Sequence, residues 1–168
     1  MTAKYVQPSR RKPALGTVSR ATRPEGLIRS FMDALKIYNP RAWNELLHQY
    51  TNVFNDMYMH RGLPQVNGME EHDFLIQSLC DALEKVADRL PYCYFGAIEG
   101  DMSDFGFWID THSLEESIAM GDIVEIEHEF SYPTRGAMNR KDYFFFCHSD
   151  HGEMVLWSKN YKELWRTT

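Results

Sequence analysis

The chain has 168 residues, 43% of them hydrophobic and 25% charged, with 10 Phe, 9 Tyr and 4 Trp. That length suits one domain burying roughly 70% of the surface its unfolded chain would expose, so no metal or disulfide staple is required for folding. The longest apolar run, Tyr143 to Cys147, is far short of the roughly 18 residues of a membrane span. The basic N-terminus lacks the apolar stretch of a secretory signal, so the expected location is a cytoplasm.

Charge is unevenly distributed behind the net value of -6. Lys4, Arg10, Arg11, Lys12, Arg20 and Arg23 all precede the first acid, Glu25, so the remainder holds 12 basic against 24 acidic residues. Residues 1–24 carry three prolines and no helical period, and read as a basic arm that is flexible unless bound. Clustered arginine and lysine suit nucleic acid, an acidic partner protein, a second copy or the chain's own acidic body. An acidic body repels phosphates and favours basic clefts, so direct nucleic-acid binding by residues 25–168 is disfavoured.

After the arm, helices come first and strands second, which predicts an α+β fold: three N-terminal helices packed on a mainly antiparallel sheet of about five or six strands. Residues 25–90 form the helical part and 91–168 the β part of a single domain. The first helix runs from Pro24 to Tyr38 on the stripe Leu27, Ile28, Phe31, Leu35 and Tyr38. Asn39 and Pro40 end it and start a second, reaching about Tyr58 on Trp43, Leu46, Leu47, Tyr50, Val53, Phe54 and Met57, with Gly62 and Pro64 as its stop. The third covers Met69 to Arg89, with Leu75, Ile76, Leu79, Leu83, Val86 and Leu90 on one face. Glu70, Asp73, Gln77, Asp81, Glu84 and Asp88 occupy another, and Asn67 with Glu70 forms a capping box.

From Tyr92 the period becomes two, giving strands over 92–98, 104–109, 123–130, 142–148, 153–158 and 161–166. A short helix over 114–120 interrupts them, capped by Ser113 with Glu116 and ended by Gly121. In the strand Val124-Glu125-Ile126-Glu127-His128-Glu129-Phe130, alternation sends Val124, Ile126 and Phe130 inward and sets Glu125, Glu127 and Glu129 in a row. That row, with Glu115, Glu116 and Asp122, is the best candidate interaction surface, although such rows also serve as solvated faces or protect an edge strand. The third-helix acids come second.

Other constellations are weaker. Glu99, Asp101 and Asp104 could hold Mg²⁺ or Ca²⁺, but their spacing matches no EF-hand and equally suits a solvated turn. Cys147, His148 and His151, with Cys93, have soft-ligand identities; consecutive strand residues face opposite ways, and Ser149-Asp150-His151-Gly152 is ordinary turn chemistry. Cys80, Cys93 and Cys147 show no Cys-x-x-Cys, so reduced core thiols are expected. His112 or His151 beside Asp110 or Asp150 could act as a base toward Ser103, Ser113 or Cys147, and nothing in the spacing selects one combination. No metal or cofactor is predicted.

The segment Tyr94-Phe95-Gly96-Ala97-Ile98-Glu99-Gly100-Asp101-Met102-Ser103-Asp104-Phe105-Gly106-Phe107-Trp108, with Ser149-Asp150-His151-Gly152 before Met154-Val155-Leu156-Trp157, resembles an uncharacterised family of small phage and bacterial proteins. That pattern has Tyr-Phe-Gly, a Gly-Asp turn, an aromatic Gly-Phe-Trp strand and a late Asp-His-Gly hairpin. The resemblance covers residues 91–168, and Met102 stands where the pattern carries glycine. It transfers no activity but implies a phage or mobile-element setting, where small acidic proteins disable host machinery. The resulting expectation is a non-enzymatic inhibitor of a host protein or ribonucleoprotein complex with a basic surface, of anti-CRISPR or other anti-defence type. A small metal-dependent hydrolase or nuclease using Asp101, Asp104 and a histidine is the alternative, and a structural, oligomeric virion component a further one.

Overall fold

In the computed structural model, which describes residues 11–58, 68–126, 142–148 and 152–167, helix α1 spans Pro24–Tyr38. Proline at its first position has no N–H to leave unsatisfied. Asn39 both closes α1, through its N–H on Leu35, and opens α2 (Pro40–Gln49), its side chain accepting from Ala42 N. The long second helix read from periodicity is in fact two, α2 and α3 (Thr51–Tyr58). The Thr51 hydroxyl donates to the carbonyls of Leu47 and His48 at 3.0 and 2.9 Å, a local competitor for backbone acceptors, and Tyr50 leaves helical geometry. Helix α4 (Gly68–Ala87) buries Leu75, Leu79, Ala82, Leu83 and Val86.

The β part forms two sheets rather than one of five or six strands. The first has the order β1-β3-β2, from Gly16–Ser19, Asp101–Ile109 and Cys93–Ile98. The second is β4-β5-β6-β7, from Ile123–Glu125, Tyr143–His148, Glu153–Ser158 and Glu163–Arg166. Its β4–β5 pair is parallel and the others antiparallel.

Two compact units result, one comprising residues up to Arg89 with Phe95–Phe107, the other Leu90–Tyr94 with the chain from Trp108. In the first, Phe31 of α1 meets Phe95 and Phe105 edge-on at 5.1 and 5.6 Å, while Phe107 meets Tyr38 and Phe95. Such pairs each add about 0.5–1.5 kcal/mol beyond area burial. The aromatic strand segments therefore build core. In the second unit Ile126, Val155 and Trp157 cluster with Val124, and buried Trp165 donates its indole N–H to the Pro91 carbonyl at 2.8 Å.

Helix α5 (Thr111–Ala119) starts earlier than the Ser113 cap predicts, because Asp110 takes that role and accepts from Ser113 N at 3.0 Å. Gly121 follows with φ +71°, the left-handed conformation expected of it. Asn67, Gly62 and Pro64 lie outside the described residues. Among the described residues no helix is long and apolar enough to cross a membrane.

Candidate interaction surface

Each acidic group has a position set by its element. In the second unit Glu115 and Glu116 lie on the exposed side of α5, Asp122 in the turn that leaves it, and Glu125 at the end of β4; all four are exposed. Val124 and Ile126 pack inward, as alternation requires. Glu116 has His112 Nε2 at 3.4 Å. Among the described residues no lysine or arginine pairs with any of the four. Glu127 and Glu129, which complete the predicted row, lie outside the described residues.

Several carboxylates of the first unit are committed internally. Glu84, placed by the sequence on the exposed acidic face of its helix, instead accepts the Phe95 backbone N–H at 2.6 Å. It caps an edge strand whose outward N–H would otherwise be unpaired. On the same helix Gln77 donates to Asp81 at 2.8 Å. The second-choice acidic surface is thus partly consumed.

The three turn carboxylates separate. Glu99 is exposed, and Asp101 accepts both the N–H and the hydroxyl of Ser103, at 2.9 and 2.7 Å. These bonds, the hydroxyl first, hold its carboxyl below the usual range. Asp104 is 8% exposed, and its Oδ2 accepts from Thr17 Oγ1 at 3.2 Å and Arg20 Nε at 3.0 Å. Among the described residues no group of three His, Cys, Asp or Glu side chains converges on a metal position.

Asp104 also changes the picture of the basic arm. From residue 11 onward the described part of that arm lies on the first unit instead of extending freely: Gly16–Ser19 is strand β1, paired with β3. Pro13 is buried, Ala14 N donates to the Tyr38 hydroxyl at 3.2 Å, and Arg89 Nη1 donates to the Arg11 carbonyl at 2.8 Å. Arg11, Lys12, Arg20 and Arg23 remain exposed, and Lys4 and Arg10 lie outside the described residues. Thr17 and Val18 are β-branched strand formers whose signal is outweighed in the sequence by the surrounding charge and proline.

The groups weighed for catalysis do not assemble among the described residues. Ser113 Oγ donates to Asp110 Oδ2 at 2.6 Å while His112 faces Glu116; Ser103 is committed to Asp101. Asp110 is held below its ordinary carboxylate range, chiefly by the Ser113 hydroxyl and then by its N–H. Burial, reinforced by Asp81 and Glu84, raises the Cys80 thiol to about 11, so it stays protonated at neutral pH. Cys93 is buried, and its thiol donates weakly to the Tyr94 carbonyl at 3.9 Å. Cys147 and His148 are consecutive on β5, their side chains outside the described set, as are Asp150 and His151.

No family model, no curated protein and no solved structure matches this chain.

Proposed function

We propose that this protein is a non-enzymatic binding protein that inhibits a host nucleic-acid-handling complex in the host cytoplasm, as a phage or mobile-element product of anti-CRISPR or other anti-defence type. The observation that carries this reading is the group Glu115, Glu116, Asp122 and Glu125: four exposed carboxylates on consecutive elements with no lysine or arginine partner among the described residues. A basic cleft built for phosphates supplies the complementary field, which steers encounter and fixes register. The phage setting rests on the sequence resemblance over residues 91–168. Glu127 and Glu129, which the sequence pattern sets in the same row, lie outside the described residues.

The test is capture of partners by the tagged full-length protein at low and high salt, followed by the same capture with Glu115, Glu116 and Glu125 reversed to lysine. Screening over about 10 Å at 0.1 M salt makes a contact of this kind salt-sensitive. A discrete nucleic-acid-handling complex, released by salt and lost on charge reversal, is the expected result. Retention by the reversed variant would remove this surface from consideration.

A further inference from the structure

We propose that the outer edge of β3, with Asp104, is a docking groove for an extended segment carrying a hydroxyl residue and, three positions on, an arginine, and that β1 is a displaceable latch filling that groove in cis. This stands independently of the inhibitor reading.

The register carries the first step. Gly16 opposes Phe107 and Thr17 opposes Gly106, but Ser19 opposes Phe105, so β1 gains one residue between Thr17 and Ser19. Residues three apart on a regular strand face opposite sides. The added residue turns Thr17 and Arg20 to the same side, and both reach Oδ2 of Asp104. Recognition therefore depends on spacing as well as on charge.

The second step is energetic. Asp104 Oδ1 is fully enclosed and has no hydrogen-bond partner. This is so with β1 in place, while Oδ2 alone receives the donors of β1, so the docked state leaves part of a costly buried carboxylate unsatisfied. Yet the donor holding it is weak, because the Arg20 side chain is 75% exposed and such a contact is screened by water. β1 itself is four residues long, and the contacts at its upstream end, from Arg89 and the Tyr38 hydroxyl, are exposed. A strong demand met by a weak donor favours exchange: release in cis is coupled to occupation by another donor, an extended basic segment of a partner protein.

The probe is a labelled peptide with the sequence of residues 11–23, added to full-length protein and followed by anisotropy. Its reference is a Thr17→Ala/Arg20→Ala double variant, in which the latch is weakened at two exposed positions while the groove stays intact. The double variant should bind the peptide at least about tenfold more tightly than the native chain, the effect of losing one or two charge-assisted hydrogen bonds. Amide exchange over residues 16–19 should quicken in the same variant. A peptide carrying alanine at the position of Arg20 should not bind, which tests recognition without altering the protein. Equal peptide affinity for the two proteins, equal binding of the two peptides, or no binding at all would overturn the proposal. So would a native dimer in which residues 16–19 are protected only in the dimer, since the occupant would then be a second copy.

Discussion

Glu84 and Asp104 of the first unit and the α5–β4 carboxylates of the second are used in opposite ways. In the first, Glu84 caps the Phe95 N–H and Asp104 anchors β1, so acidic side chains hold backbone segments in place. In the second, Glu115, Asp122 and Glu125 project from α5, the turn after it and β4, with no lysine or arginine partner among the described residues. The same residue types are structural where a donor lies within reach and project as an acidic surface where, among the described residues, no lysine or arginine does. Net charge cannot distinguish these cases, because it counts groups without their neighbours.

The contrast can be broken most sharply at Glu84. Glu84→Ala leaves the Phe95 N–H of an edge strand without its acceptor, at a cost of about 1–3 kcal/mol, measurable by urea denaturation. Glu84→Gln keeps an acceptor and should recover much of the loss; equal loss in both variants would mean that the charge, not the hydrogen bond, matters.

Asp110 sharpens the comparison from within the second unit, where it is spent on structure, as Glu153 and Glu163 are on Arg166 and Asp142 is on Lys159. Removing this helix cap with Asp110→Ala should cost about 1 kcal/mol. Because Ser113 holds the folded carboxyl below its ordinary 3.8, the contribution has a defined sign with pH. It is fully present above the unfolded value and is lost as pH falls through the lower folded one. Denaturation curves of the native chain and Asp110→Asn, which keeps a capping acceptor without titrating, should therefore converge as the pH is lowered below 3.8.

The smallest effect on stability belongs to the projecting group. Reversing Glu115 or Glu125 to lysine should shift unfolding free energy by no more than about 0.5 kcal/mol, as for surface positions generally. A loss comparable to that of Glu84→Ala would reveal a structural partner and end the contrast between the units.

Much of this contrast was hidden from sequence reading for a specific reason. Glu84 falls on the acidic stripe of its helix, and a stripe assigned by period gives no sign that one member will reach a neighbouring strand. Asp104 sits in a turn-like Gly-Asp-Met-Ser-Asp string that suggested a metal or a solvated loop; its partners are 84 and 87 residues away in the chain. Thr51 concealed the break in the second helix, because the apolar stripe continues through Tyr50 while the hydroxyl diverts the carbonyls behind it.

What the sequence determined by itself was local: the span of α1, the double role of Asn39, the aromatic strands, the left-handed residue at Gly121, and the inward alternation of Val124 and Ile126. Each follows from dihedral preference, capping or period within a few residues. Only the tertiary structure decided that the strands divide between two sheets, that residues 16–19 become a strand, and which carboxylates are spent. Those outcomes depend on donors and acceptors meeting across long stretches of chain, and a buried polar group must find a partner wherever the fold provides one.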